Sequence, residues 1–246
     1  MRSVVVIPAR YKSSRFLGKP LTYLLGRPMI LWVADLSANA VGKENVYIAT
    51  DDEKISKVVT AAGFNVIMTS DQCFTGTDRV AEAANKIEAD IYINVQGDEP
   101  LVRPIDIVNI IKAKQMYYNE IINGYCPIFS DEDPNNVNIP KVVFTEQNSL
   151  VYISRKAIPG FKDKVDVPKQ YYKQVCIYAF TKAELEGFVD YGRKSTLELS
   201  EDIEIIRFLE WGSKIRMVKT TPGSLAVDVK GDVKKVEQGL RVLHNL

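Results

Sequence analysis

From Val4 to Met116 the chain alternates short, β-branched apolar runs with segments whose apolar residues recur at helical spacing. Few architectures satisfy that alternation. Val4-Val5-Val6-Ile7 is the first run, and Asn45 to Thr50, Phe64 to Thr69 and Asp90 to Gln96 follow it. Between the runs, Met29, Trp32, Val33, Leu36 and Ala40 share one helical face behind Pro28. Ile55, Val58, Val59 and Ala62, closed by Gly63, share a second, and Val80, Ala83, Ala84 and Ile87 a third. Strands joined through helices pair in parallel, so an α/β fold with a mostly parallel sheet is predicted.

The pattern changes near residue 120. Residues 120–129, Lys141 to Phe144, Val151 to Ile153 and Val175 to Phe180 read as strands. Turns such as Asp133-Pro134-Asn135-Asn136 and a polar stretch over 161–173 separate them. A helix is expected from Ser200 to Trp211 with Ser200 and Glu201 at its start, then a strand over Ile215 to Lys219 and a helix over Val233 to Leu243. No linker interrupts the 246 residues. One domain is predicted: a core over 1–118, a lobe of mixed strands over about 120–198, and a return to the core over 199–246.

The loop that leaves the first strand carries Arg10, Lys12, Arg15 and Lys19 with Ser13, Ser14 and Gly18, and no acid interrupts it. Guanidinium and ammonium groups near exposed backbone N–H groups suit a polyphosphate. Open α/β sheets bind ligands at this edge; a solvated basic loop is the plainer alternative. Lys19 is followed by Pro20 and no G-x-G-x-x-G occurs, so neither a Walker A loop nor a dinucleotide fingerprint is present. Gly97-Asp98 ends another predicted strand, where a sharp turn and a carboxylate suit Mg²⁺. Asp228 ends an apolar run and could reach the same ion. Each aspartate taken alone is more often a turn or cap residue, and Asp232 reads as a cap.

Composition removes several chemistries. His244 is the only histidine, which argues against Ser-His-Asp or Cys-His catalysis and His-rich zinc sites. Cys73, Cys126 and Cys176 are odd in number and far apart, so no disulfide framework is indicated. A net charge of +1 provides no global attraction for nucleic acid or membrane. Charges at Arg2 and Arg10 and the lack of a long apolar run leave no signal peptide or membrane insertion, so the cytoplasm is the default location.

Pro8-Ala9-Arg10-Tyr11-x-Ser13-Ser14-Arg15-x-x-Gly18-Lys19-Pro20-Leu21 resembles the signature loop of the CMP-Kdo synthetase (3-deoxy-manno-octulosonate cytidylyltransferase) family. Gly26-Arg27-Pro28-Met29-Ile30, Ala49-Thr50-Asp51, Met68-Thr69, Gly76-Thr77-Asp78-Arg79 and Asn94 to Pro100 resemble its further motifs in order. Lys141-Val142-Val143, Ser154-Arg155-x-x-Ile158-Pro159 and Val227-Asp228 extend the likeness more loosely.

The resemblance implies a Rossmann-like sugar nucleotidyltransferase with a dimerising, sugar-binding lobe. Such an enzyme couples CTP to a 2-keto-3-deoxy sugar acid with Mg²⁺, releases pyrophosphate, and forms a homodimer. It implies that Arg10, Ser14, Arg15 and Lys19 hold the triphosphate, with Arg15, Lys19 and Asp98 catalytic. It likewise implies that Ala49, Asp51, Gly76, Thr77 and Arg79 line the cytidine pocket and that Asp98 and Asp228 bind the metal. On the sugar side it implies Gln96, Lys141, Arg155, Gln174, Tyr178 and Glu204. The competing readings are a same-fold transferase for another NTP or a non-Kdo sugar, and an inactive nucleotide-sugar-binding regulator.

The chain departs from the family on that sugar side. Where the family has His-Leu-Gly-x-Tyr and Leu-Glu-Gln-Leu-Arg, it reads Gln174-Val175-Cys176-Ile177-Tyr178 and Ile203-Glu204-Ile205-Ile206-Arg207. Phe16-Leu17 replaces the usual Leu-Pro, and residues 199–204 are more acidic. If Gln174 and Ile205 face sugar hydroxyls, unmodified Kdo is not the best substrate, and a deoxy, amino or acylated sugar fits better. If the helix is rotated, Ile205 is core and Glu204 or Arg207 faces the sugar.

Overall fold

The computed structural model describes residues 1–12, 16–129, 132–227 and 229–244. Its first strand, β1 (Ser3–Ala9), is buried on both faces and stands near the middle of the sheet. Val4 and Val6 enter one core and Val5, Ile7 and Ala9 the other, as the two-residue period of a strand requires. A small hairpin, β2 (Tyr23–Leu24) and β3 (Arg27–Pro28), leads into α1 (Met29–Val41). Then follow β4 (Val46–Thr50), α2 (Glu53–Ala61), β5 (Asn65–Met68), α3 (Gly76–Ala84), β6 (Ile91–Val95) and α4 (Pro104–Met116).

The second half adds β7 (Ile121–Pro127), β8 (Lys141–Phe144), β9 (Leu150–Ser154), β10 (Tyr172–Phe180) and α5 (Lys182–Asp190). It closes with α6 (Thr196–Glu201), α7 (Ile205–Glu210), β11 (Ile215–Lys219) and α8 (Val233–His244). The strand order is β11-β7-β10-β6-β1-β4-β5, with β8 paired to β10 and β9 to β8. Pairing is parallel except at β10, which runs antiparallel to β6, β7 and β8, and in the β8–β9 pair. The predicted α/β class and mostly parallel sheet are therefore present. Side chains of α3, α5 and α7 fill one core, and those of α1, α2 and α4 fill the other. A smaller cluster of Leu24, Met29, Val236 and Leu240 docks α8 on the hairpin.

Two local expectations need correction. The single helix expected over 200–211 is two short helices, broken at Asp202, which takes φ 49° and ψ 49°. Aspartate tolerates this left-handed conformation better than most residues. The carbonyls freed at the break, Glu201 O and Asp202 O, accept Arg155 Nε and Nη2. Tertiary contacts thus compensate for the lost turn. The helical start lies five residues earlier than expected, where Glu198 accepts the Ser195 N–H at 2.9 Å. α5 was not expected at all, although Thr181-x-x-Glu184 is a legible start signal: Glu184 accepts Thr181 N–H at 2.7 Å and Thr181 Oγ1 accepts Glu184 N–H at 3.3 Å. No helix among the described residues is long and apolar enough to cross a membrane.

Candidate active site

The carboxyl ends of β1 and β6 lie side by side, so the segments leaving them meet. Pro8, Ala9 and Arg10 from β1, Gln96, Gly97 and Asp98 from β6, and Thr75 and Gly76 at the start of α3 enclose a cavity of about 180 Å³. Lys19 closes it from the basic loop, with Nζ 2.5 Å from Asp98 Oδ2. Gly97 is required for this approach: a Cβ there would stand 3.0 Å from the Pro8 carbonyl oxygen and 3.2 Å from Ile30 Cδ1. A Cβ on Gly76 would stand 2.9 Å from Gln96 Nε2. Arg79, one turn into α3, also lines the cavity. Its guanidinium donates to Thr69 Oγ1 at 2.5 Å and pairs with Asp51 at 3.3 Å.

A larger cavity of about 1,130 Å³ adjoins the first. The two share Arg10, Thr75, Gly76, Gln96 and Asp98 as a common wall. Gln96, Arg155, Gln174, Tyr178 and Glu204, all expected on the sugar side, line this second space. The β7–β10 register slips between Val175 and Tyr178, and a bulge of this kind re-aims side chains. Glu204 closes the opposite wall from the start of α7, accepting Gln96 Nε2 at 2.8 Å and Thr77 N–H at 2.9 Å. Burial pushes its carboxyl above the usual carboxylate range, against the lowering effect of hydrogen bonds from Thr77 and Thr75.

Other expected residues stand elsewhere. Ala49, Asp51 and Thr77 are not on either cavity wall: Ala49 is core, and Thr77 is buried with Oγ1 accepting Asn94 Nδ2. Asp51 faces Arg79, and its Oδ1 is a buried acceptor without a donor among the described residues. Lys141 is fully buried, and its ammonium donates to Asn136 O and Arg155 O. It holds the backbone of Arg155 rather than facing the cavity. Desolvation pushes its pKa down. Arg155 itself reaches the cavity while binding the backbone of Val137, Glu201 and Asp202. Ser14, Arg15 and Asp228 lie outside the described residues.

Ile205 is 1% exposed and belongs to the core, so it does not face the sugar side. That half of the specificity argument is overturned, and the rotated alternative holds: Glu204 lines the cavity. Arg207 is no wall residue either. It is buried between Asp78 and Glu198. Sequence reading overlooked this cluster and the buried Asn123 beneath the bulge. The Thr75-x-x-Asp78 and Ser195-x-x-Glu198 spacings were the only signals pointing to the former.

Asp98 is the candidate metal ligand at this wall. Its Oδ2 holds Lys19 while no described residue occupies Oδ1. Magnesium takes one or two protein carboxylates together with phosphates and water, so one open carboxylate oxygen at the shared wall fits. Val227 N–H donates to the backbone carbonyl of Asp98 at 3.0 Å, which holds the 224–227 segment beside this residue. Among the described residues no cluster of three acidic, His or Cys ligands occurs.

Residues 4–215 match the family model described as Cytidylyltransferase. The chain belongs to the cytidylyltransferase family. It is 38% identical to the 8-amino-3,8-dideoxy-manno-octulosonate cytidylyltransferase of Shewanella baltica (strain OS185), over 98% of this chain and 100% of that protein. The Shewanella oneidensis protein of the same description shows the same identity and coverage. Among solved structures, a CMP:2-keto-3-deoxy-manno-octonic acid synthetase complexed with CTP superposes with a TM-score of 0.90. It is 33% identical and covers 100% of both chains. The resemblance to the CMP-Kdo synthetase family is thereby borne out along the whole cytidylyltransferase chain.

Proposed function

We propose that this cytidylyltransferase couples CTP to an acidic 2-keto-3-deoxy octulosonate, uses an 8-amino-3,8-dideoxy sugar in preference to Kdo, and releases pyrophosphate with Mg²⁺ bound. The observation that carries the reading is the wall shared by the two cavities. Arg10, Gln96 and Asp98 face both spaces, so a phosphate chain in one and a sugar in the other would meet across those three residues. The sugar preference is supported by the description of the Shewanella relatives and by Gln174 on the sugar-side wall.

In the proposed reaction the anomeric hydroxyl oxygen bonds to the α-phosphorus as the bond to the β-phosphate oxygen breaks, and the hydroxyl proton passes to solvent. Arg10 and Lys19 offset charge on the phosphates and on the departing pyrophosphate. Asp98 would hold Mg²⁺, with Asp228 the second ligand implied by the resemblance. The ion, when bound, supplies charge neutralisation at the phosphates and acidifies the attacking hydroxyl. Gln96, fixed by Glu204, orients the sugar, and Arg155 faces its carboxylate. Much of the acceleration comes from this positioning, which explains why no histidine is needed. A homodimer through the mixed-strand lobe, acting in the cytoplasm, completes the proposal.

Pyrophosphate release with each of four NTPs against a panel of sugar acids tests it. CTP is expected to exceed UTP, ATP and GTP, and chelation of Mg²⁺ to abolish release without unfolding the protein. Equal turnover with ATP removes the cytidine assignment. Faster turnover of Kdo than of its 8-amino analogue removes the sugar preference.

A further inference from the structure

Gln174 lines the larger cavity from β10 and is 7% exposed. Behind it on β7, Asn123 is fully buried. The Asn123 Nδ2 donates to Val175 O and Ile177 O, 3.1 Å each, at the slip in the β10 register. Those two acceptors determine which way the amide points: turned over, Oδ1 would face two carbonyl oxygens and both bonds would be lost. Asn123 Oδ1 is thus the atom presented to Gln174, whose Nε2 donates to it at 3.0 Å. The Gln174 amide is fixed in its turn, because its own oxygen would repel Asn123 Oδ1. Gln174 Oε1 is left without a donor from any described residue, and it is not one of the sealed, unpartnered polar atoms. Its opening is the cavity that the residue lines.

We propose that Gln174 Oε1, oriented by Asn123, is the acceptor that reads the 8-substituent of the sugar and selects an ammonium over a hydroxyl, and either over a group that only accepts. This rests on the transferase reading above. A carbonyl oxygen cannot donate, so an ether or a carboxylate placed there meets repulsion. A charged donor makes the shorter and stronger bond. The β7–β10 pair therefore imposes a polarity on the sugar site that Gln174 alone, free to rotate, would not have.

The full-length protein with CTP and Mg²⁺ is assayed for pyrophosphate release on three sugars differing only at position 8: amine, hydroxyl and methyl ether. The wild type is expected to show kcat/KM about tenfold higher for the amine than for the hydroxyl, with the ether about a hundredfold below the amine, on the scale of one hydrogen bond left unmade at a buried acceptor. In Gln174→Leu the amine-to-hydroxyl ratio is expected to fall to about one; a purely structural role would lower both rates and keep the ratio. Three sugars used alike by the wild type, or an unchanged ratio in the variant, overturn the inference and leave the transferase reading standing. Should Gln174→Leu not fold, the wild-type series decides alone. No release from any of the three overturns the transferase reading, and the inference with it.

Discussion

Arg207→Met is expected to be the most damaging single change among the buried polar residues. Arg207 is 1% exposed and bridges two carboxylates: Nε and Nη2 reach Glu198 at 2.7 and 2.8 Å, and Nη1 reaches Asp78 at 2.9 Å. Its guanidinium also stacks 3.7 Å above the Phe188 ring. Methionine keeps much of the aliphatic volume but leaves two buried anions facing each other. Removing one partner of a buried pair costs about 3–5 kcal/mol. Each anion retains other donors, Thr75 N–H at 2.7 Å and Ser195 N–H at 2.9 Å, so the cost stays within that range rather than doubling. For a chain of this size about 2–4 °C is lost per kcal/mol, which gives a drop in Tm of about 6–20 °C. Thermal melting and the urea midpoint measure it. The triple variant Arg207→Met, Asp78→Asn, Glu198→Gln should recover more than half of the loss, because the penalty is uncompensated charge rather than lost packing. A single variant within about 1 kcal/mol of wild type would refute the reasoning, as would a triple variant melting below the single one. Function should follow stability only in part: α3, which carries Asp78, begins at Gly76 on the wall of both cavities, so KM for CTP is expected to rise even below the melting transition.

Asp98→Asn and Lys19→Ala are each expected to lower turnover by roughly two orders of magnitude with the fold retained, the scale of one lost transition-state contact. A folded Asp98→Asn protein with a near-normal rate would remove this carboxylate from the metal site. Gly97→Ala should cost about 1–3 kcal/mol, since its Cβ meets a backbone carbonyl that cannot retreat; an unchanged urea midpoint would contradict that packing. For Glu204, burial raises the folded pKa above the unfolded one, so the folded state holds the proton more tightly. Its favourable contribution is present at low pH and is lost as pH rises through the folded value. Glu204→Gln should therefore gain stability relative to wild type above that value, and the acid limb of kcat/KM, set above the ordinary carboxylate range, should move down or vanish. Parallel stability–pH curves for the two proteins would show that Glu204 does not titrate as described.

The sequence by itself determined the elements whose signals are local and the chemistry that sits at their ends. Val4 to Ile7 read as a buried strand, and the alternation up to Met116 argued for a mostly parallel sheet. Each strand end then delivered its residue, Arg10 or Asp98, to one edge, and the motifs on that edge were enough to name the family. What the sequence left open depended on partners far along the chain. Asp202 breaks a helix of adequate periodicity because Arg155 takes the carbonyls that the break exposes. Ile205 and Glu204 are neighbours, yet one is core and the other cavity wall. A helical residue's direction follows from its own helix, and the break at Asp202 starts a new helix at Ile205 where one continuous helix from Ser200 was expected. Lys141 looked like a substrate cation because a sequence does not show what already occupies an ammonium; here it is Asn136 O and Arg155 O. Hydrogen-bond polarity is the furthest from sequence of all. Gln174 offers both a donor and an acceptor, and only the Asn123 amide, fixed by two carbonyls across the sheet, decides which of them the cavity receives.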